Sequence, residues 1–124
     1  MDKNKRVLII DDDPDVLETL QSVLSTRGFT VNTSLDTSNI QNEIESFCPD
    51  VLLLDVNLKN ANGGEICREL KKCGTARNIS IILFSGDRSI KEQYKNYLAD
   101  NFIEKPVSIS NLVTSLKQSS VKTL

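Results

Sequence analysis

The stretch "VLIIDDDPDVLETL", residues 7–20, joins an apolar run to a segment of helical periodicity through a cluster of aspartates. Consecutive apolar residues bounded by charge are typical of a strand that is buried on both faces of a sheet. Asp13 then stands where a helix N-cap is expected, and Pro14 takes the first helical position. Leu17 and Leu20 follow at helical spacing. The stretch therefore predicts one strand-helix unit with carboxylates at its junction.

The same strand-helix order recurs along the rest of the chain. Apolar runs predict five strands, and a helical segment follows each of them; the strands are expected at residues 6–10, 29–34, 50–56, 79–85 and 101–105. Parallel strands need such crossovers, and strands that are apolar throughout must be covered on both faces. Right-handed crossovers leave few doubly wound orders, and five strands suit the flavodoxin-like order 2-1-3-4-5. We therefore predict an α/β fold with a five-stranded, doubly wound parallel sheet.

Composition and spacing predict the bounds of the third and fourth helices. The segment "KNANGG", residues 59–64, has the composition of a loop, so we expect the third helix to begin at Glu65. The fourth helix is expected to present an apolar side made of Ile90, Tyr94, Tyr97 and Leu98. Residues 59–64 are therefore expected to form a flexible connection after the third strand.

Composition limits the classes of function. A chain of 124 residues fits one domain, which we expect to span 1–124 with a core over about 5–118. Its net charge of −2 provides no basic field, so direct binding to nucleic acid is not expected. No apolar run approaches the ~20 residues of a membrane span, so we expect no membrane association and a cytoplasmic location. Three cysteines without a histidine give no zinc-binding set.

Groups able to bind metal or phosphate stand at the carboxyl ends of four of the five predicted strands. They are Asp11 and Asp12, then Asp55, then Ser85 and Gly86, and finally Lys105 and Pro106. The carboxyl ends of parallel strands meet at one edge of the sheet, where ligands bind. Two carboxylates ~4 Å apart would repel by about 4 kcal/mol at an effective dielectric constant of about 20, so a cation is needed between them. Mg²⁺ is the natural candidate because it takes carboxylate and carbonyl oxygens, and Lys105 would supply a second positive charge.

These residues suggest a division of roles in phosphoryl transfer. Asp55 is central in the predicted sheet and is the expected nucleophile, which would form an acyl phosphate. Asp11 and Asp12 are left to hold the metal. Ser85 would donate its hydroxyl to a phosphoryl oxygen, and Gly86 would leave room for the group.

With these residues the chain resembles the receiver domain of response regulators in two-component signalling, over essentially its whole length. The resemblance implies that Asp11 and Asp12 bind Mg²⁺. It implies that Asp55 accepts a phosphoryl group from a sensor histidine kinase or a phosphotransfer protein. The backbone carbonyl of Asn57 is a further metal ligand by the same resemblance.

The resemblance also implies a switch. Ser85 matches the family's Ser/Thr position, and Phe102 matches its switch aromatic, three residues before Lys105. Phosphorylation would draw Ser85 inward, Phe102 would turn into the vacated space, and the face of helix 4, strand 5 and helix 5 would rearrange for an unidentified downstream protein. Such a domain phosphorylates and dephosphorylates itself and is not expected to be an enzyme for other substrates. The bond between Lys105 and Pro106 is expected to be cis.

The chain departs from the family in the segment after strand 3. Lys59 stands where the family usually has proline, and an extra glycine, Gly64, follows the turn at 62–63, so a looser loop is expected. Asn57 and Asp87 occupy the two positions that tune hydrolysis of the acyl phosphate in this family. We expect their polar groups to position water and to give a short-lived phosphoryl state.

Three alternatives stay open. A haloacid-dehalogenase-like phosphohydrolase would use Asp11 as nucleophile and Asp13 as acid/base, although Asp15 stands where that family has Thr or Val. A flavodoxin-like cofactor protein would need a phosphate-binding loop after strand 1, where the aspartates would repel phosphate. A pseudo-receiver would keep the fold for docking and would never become phosphorylated. The site of phosphoryl labelling, Asp55 or Asp11, distinguishes the first alternative from a receiver.

Overall fold

Five parallel strands form the central sheet in the computed structural model, which describes residues 4–74 and 76–119. The strands are β1 Arg6–Ile10, β2 Thr30–Ser34, β3 Val51–Asp55, β4 Ser80–Ser85 and β5 Asn101–Glu104. Their order in the sheet is β2-β1-β3-β4-β5, and each neighbouring pair is parallel. The predicted fold class and strand order are therefore confirmed.

Helices cover both faces of the sheet, as apolar interior strands require. They are α1 Pro14–Thr26, α2 Ile40–Phe47, α3 Gly63–Lys72, α4 Ile90–Gln93 and α5 Ile109–Gln118. On one face, strand residues such as Leu8 and Leu52 pack with α2, α3 and α4. On the other face, Val7 and Val51 pack with α1 and α5. None of these helices, over the described residues, has the length and apolar character needed to cross a membrane.

Asp13 caps α1 as the sequence predicts. Its side chain accepts a hydrogen bond from the backbone N–H of Asp15 at 3.0 Å, and Pro14 is the first residue of the helix. A cap of this kind satisfies an N–H group that has no partner inside the helix. The carboxylate of Asp13 therefore has a structural role at the junction of β1 and α1.

The segment after β3 is more ordered than a loop. Residues Asn57–Leu58 and Ala61–Asn62 pair as a short antiparallel hairpin. Helix α3 begins at Gly63, so the start predicted at Glu65 is wrong by two residues. The chain is thus folded back tightly between the end of β3 and the start of α3.

Close packing explains the two glycines at the start of α3. A Cβ atom at Gly63 would overlap the carbonyl oxygen of Asp55, and one at Gly64 would overlap the ring of Tyr97. The Asn62 side chain accepts a hydrogen bond from the N–H of Gly64 at 2.8 Å and caps the helix. Gly63 thus allows the backbone of α3 to approach the end of β3, and Gly64 makes room for the Tyr97 ring; whether the segment is looser than is usual in the family stays a prediction.

Helix α4 is a single turn, Ile90–Gln93, so the prediction that the fourth helix continues to Leu98 is wrong. Leu98 lies in the left-handed region with φ 64°. The N–H of the next residue, Ala99, donates to the carbonyl of Tyr94 at 3.1 Å. Tyr94 and Tyr97 still pack against the core. Of the four residues predicted on this helix, Ile90 is buried, Tyr94 and Tyr97 are partly buried and Leu98 is 44% exposed, so helical spacing here predicted neither the length of the helix nor the position of Leu98.

Candidate functional site

Three carboxylates meet at the carboxyl ends of β1 and β3. Asp11 and Asp12 directly follow β1, and Asp55 is the last residue of β3. Ile10 is paired with Leu54 across the two strands, so the residues that follow them emerge side by side. One oxygen of each carboxylate lies within 4.8 Å of the other two. The carboxylates predicted to hold a metal are thus brought together by the strand register.

Backbone N–H groups orient the two aspartates after β1. The N–H of Asp13 donates to Asp11 Oδ1 at 2.9 Å, and the N–H of Lys59 donates to Asp12 Oδ2 at 2.9 Å. The second bond joins the hairpin after β3 to the acidic cluster. No feature of the sequence indicates this contact, because the donor is a backbone group. A proline at position 59 would have no N–H to donate.

Lys105 brings a positive charge to the two buried carboxylates. Its Nζ lies 3.0 Å from Asp11 Oδ2 and 3.4 Å from Asp55 Oδ1. The bond between Lys105 and Pro106, expected to be cis, is cis. The ammonium group also lies 4.6 Å from the ring centre of Phe84, a cation-π contact that sequence reasoning did not find. Lys105 therefore reaches across the sheet edge and partly balances the acidic cluster.

Burial raises the pKa of the Asp55 carboxyl above its ordinary value. The charge of Lys105 opposes this change and lowers the pKa, whereas the nearby Asp11 carboxylate raises it. The N–H of Asn57 donates to Asp55 Oδ1 at 3.2 Å and also lowers the pKa. The net direction is upward, so the ionised form of Asp55 reduces the folding stability. A cation bound among the carboxylates would offset that effect.

Ser85 is the last residue of β4 and is fully buried. Its Oγ accepts hydrogen bonds from Asn57 Nδ2 at 3.0 Å and from the backbone N–H of Asp87 at 3.0 Å. The pairing of Asp55 with Phe84 in β3 and β4 brings Asn57 to Ser85. These two residues are 28 positions apart, and no sequence pattern signals a contact at that separation.

The carboxylate of Asp87 accepts hydrogen bonds next to α4. Its donors are the N–H of Ser89 at 2.9 Å and the hydroxyl of Ser89 at 2.7 Å. The hydroxyl bond, followed by the N–H bond, lowers the pKa of Asp87. Of the two positions expected to tune hydrolysis, Asn57 contacts Ser85 through its side chain and Asp87 contacts it through its backbone. At Gly86, between Ser85 and Asp87 in the chain, a Cβ atom would meet no heavy atom within 4 Å, so there is open space next to Ser85.

Phe102 lies on β5 and packs with the core cluster under α2, α3 and α4. Its ring stacks on Tyr94, with ring centroids 6.4 Å apart and planes inclined by 20°. The side chain is partly exposed. Phe102 therefore connects β5 to the segment that follows α4, on the face to which the family resemblance assigns the switch.

Comparison with known proteins identifies similar sequences over most of the chain. The family model described as "Response regulator receiver domain" matches residues 7–117. Response regulator MprA of Mycobacterium tuberculosis (strain ATCC 25177 / H37Ra) is 32% identical over 114 residues, which cover 90% of this chain and 49% of that protein. Response regulator MprA of Mycobacterium ulcerans (strain Agy99) is 32% identical over 90% of this chain and 48% of its own length. The chain spans about half the length of these curated relatives.

Solved structures share the architecture. A putative response regulator from Chloroflexus aurantiacus J-10-fl has a TM-score of 0.85 at 28% identity, covering 93% of this chain and 96% of that one. Chemotaxis protein CheY4 of Vibrio cholerae has a TM-score of 0.84 at 20% identity, covering 93% of this chain and 98% of that one. The likeness to CheY4, at this low identity, shows the fold alone.

Proposed function

The chain belongs to the response regulator receiver domain family, and on that premise we propose that Asp55 accepts a phosphoryl group in a Mg²⁺-dependent reaction. The donor would be a phosphohistidine on a sensor histidine kinase or a phosphotransfer protein. One observation carries the proposal: the buried Asp55 carboxylate lies 3.4 Å from Lys105 Nζ, with oxygens of Asp11 and Asp12 within 4.8 Å.

Asp55 would act as the nucleophile. One carboxylate oxygen attacks phosphorus while the P–N bond to the donor imidazole breaks, the imidazole leaves with the bonding electron pair, and an acyl phosphate forms. No separate base is needed, because an ionised carboxylate has no proton to lose. The contact with Lys105 favours the ionised form, in opposition to the burial that raises the pKa of Asp55.

The donor set at this site suits Mg²⁺. The side chains of Asp11, Asp12 and Asp55 offer only oxygen atoms, within 4.8 Å of one another, and the backbone carbonyl of Asn57 is the further ligand that the family implies. Magnesium prefers such oxygens and keeps several waters. When bound, the ion would neutralise charge on the carboxylates and on the transferred group.

Ser85, Gly86 and Lys105 would receive the phosphoryl oxygens. Lys105 Nζ stands within 3.4 Å of the Asp55 carboxylate and can pair with an anion there. Ser85 would donate its hydroxyl, and Gly86 leaves open space beside it. Asn57 and Asp87 would then tune how quickly the acyl phosphate hydrolyses, so that the domain phosphorylates and dephosphorylates itself and acts on no other substrate.

Phosphorylation would act by shifting a population between two arrangements. Movement of Ser85 towards the phosphoryl group would vacate space into which Phe102 turns. The stacked contact between Phe102 and Tyr94 would then change, and with it the face formed by α4, β5 and α5. A downstream protein would bind one arrangement of that face in preference to the other.

The cap of α1 favours this function over a phosphohydrolase that uses Asp11 as nucleophile. Such an enzyme needs Asp13 as a free acid/base. The Asp13 carboxylate instead accepts the N–H of Asp15 at 3.0 Å and begins the helix.

Mass spectrometry after incubation with Mg²⁺ and a small acyl phosphate donor tests the proposal. We expect one phosphoryl group on Asp55, which should be absent without Mg²⁺ and in Asp55→Asn. The exposed Asp15 is the matched control, and Asp15→Asn should be labelled as the wild type is. Label on Asp11, or steady turnover of phosphomonoesters, would favour the phosphohydrolase. An unlabelled wild type would favour the pseudo-receiver.

A further inference from the structure

The buried hydroxyl of Ser85 is an acceptor in both of its hydrogen bonds. Its Oγ accepts from Asn57 Nδ2 and from the N–H of Asp87, each at 3.0 Å, and the residue has 0% exposure. A serine hydroxyl has two acceptor lone pairs and one donor proton. Both lone pairs therefore accept hydrogen bonds from N–H donors, and only the hydroxyl proton is left for a further hydrogen bond.

Among the hydrogen bonds of the described residues, none has the Ser85 hydroxyl as its donor. The Oγ atom does have hydrogen-bond partners, as do all buried side-chain nitrogen and oxygen atoms of the described residues, but it uses them only as an acceptor. An oxygen that enters the site would provide the acceptor. The strand pairing of Asp55 with Phe84, the residue before Ser85, places this hydroxyl beside the phosphoacceptor strand end.

We propose that Asn57 is a positioning residue for phosphoryl transfer. Its side-chain amide holds the Ser85 hydroxyl as a donor, which is the role that a phosphoryl oxygen on Asp55 requires. This inference rests on the proposed function. The route through Ser85 differs from the direct positioning of water that the sequence suggests for Asn57.

The two donors to Ser85 respond differently to substitution. Asp87 donates through its backbone, so a change of its side chain leaves that N–H in place. Asn57 donates through its side chain, so Asn57→Ala removes the bond. Asn57→Ala leaves the backbone carbonyl of residue 57, the proposed metal ligand, unchanged. It therefore perturbs the hydroxyl and leaves the proposed metal ligands in place.

A double-mutant cycle tests the route through Ser85. The measured quantity is the dissociation constant of beryllofluoride, an unreactive phosphoryl analogue, by calorimetry of the full chain with Mg²⁺. We expect Asn57→Ala to weaken binding about fivefold, as for the loss of one hydrogen bond. In a Ser85→Ala background the same substitution should change affinity by less than about twofold, because the hydroxyl is absent. In a Ser85→Thr background, which keeps a hydroxyl, Asn57→Ala should again weaken the binding of beryllofluoride.

An equal fold-loss in the wild-type and Ser85→Ala backgrounds would overturn the inference, because Asn57 would then act independently of Ser85. No loss in the wild-type background would overturn it as well. Asn42→Ala, at an exposed position on α2, is the control and should bind as the wild type does. If the wild type neither binds beryllofluoride nor labels Asp55, the proposed function fails and the inference with it. If the wild type does both and the cycle is additive, the inference alone fails.

Discussion

Replacement of Asp55 by asparagine should stabilise the protein in the absence of divalent metal, although it removes the proposed phosphoacceptor. Burial raises the pKa of Asp55, so its charged form is disfavoured in the folded state relative to the unfolded chain. Asparagine has nearly the same shape, and its Oδ1 can still accept the N–H of Asn57, which now lies 3.2 Å from Oδ1. Asp55→Asn therefore removes charge with little change in packing.

The magnitude follows from the charges around Asp55. Repulsion from the carboxylates of Asp11 and Asp12, at separations of at most 4.8 Å, is at least about 3.5 kcal/mol each at an effective dielectric constant of about 20. Attraction to Lys105 Nζ at 3.4 Å is about 5 kcal/mol on the same scale. Water screens the repulsion from Asp12, which is partly exposed, whereas burial of the Asp55 charge further destabilises the ionised form of Asp55. We expect the free energy of unfolding to rise by about 1–2 kcal/mol at neutral pH.

Urea unfolding of both proteins across a pH series, without divalent metal, measures this difference. The pKa of Asp55 is raised above its ordinary value of 3.8, so the folded state binds the proton more tightly than the unfolded state. Stability of the wild type therefore falls as pH rises from 3.8 through the folded-state pKa, and the advantage of Asp55→Asn should shrink as pH falls towards 3.8. Added Mg²⁺ should stabilise the wild type more than the variant.

Glu18→Gln provides the control for net charge, because Glu18 is exposed on α1, away from the acidic cluster of Asp11, Asp12 and Asp55. It should change the free energy of unfolding by less than about 0.5 kcal/mol. The electrostatic reasoning would be refuted by an Asp55→Asn protein that is no more stable than the wild type at neutral pH. An advantage that does not depend on pH would refute it equally.

Three further substitutions test single contacts around the site. Lys59→Pro should weaken Mg²⁺ binding about fivefold in calorimetry, because proline lacks the N–H that donates to Asp12 at 2.9 Å; Lys59→Ala keeps that N–H and should bind normally. Gly63→Ala should lower the free energy of unfolding by about 1–3 kcal/mol, because its Cβ would overlap a backbone carbonyl, whereas Gly86→Ala meets open space and should be nearly neutral in the same urea titration. Asp13→Ala should lower the free energy of unfolding by about 1 kcal/mol, because the α1 cap is lost, while phosphoryl labelling persists. Unchanged stability of this variant would contradict the capping role of Asp13.

The fold was predictable because its signals are local. Each buried strand is a short apolar run, and each end of the five strands lies within one residue of its predicted position. The cap at Asp13 could be assigned because a helix start is defined by a few adjacent residues. The strand order then followed from general rules of handedness, since only a few doubly wound arrangements remain.

The parts that sequence reasoning missed depend on contacts between distant segments. Gly63 and Gly64 have the composition of a loop, but the atoms that require a missing Cβ belong to Asp55 and Tyr97. The hydrogen bond between Asn57 and Ser85 joins residues 28 positions apart and depends on the register of two strands. Such contacts become visible only when the backbone is in place.

The sheet tolerates the charge repulsion among Asp11, Asp12 and Asp55. Asp11 follows β1 and Asp55 ends β3, two strands whose apolar residues are fully buried, so the stability of the sheet comes from positions outside the site. Lys105 reaches both carboxylates, but one positive charge cannot balance three negative ones. The residual negative charge would attract a divalent cation, and it is also the imbalance that Asp55→Asn relieves. Stability without metal and affinity for metal are therefore opposed at this site, and a variant that gains the first should lose the second.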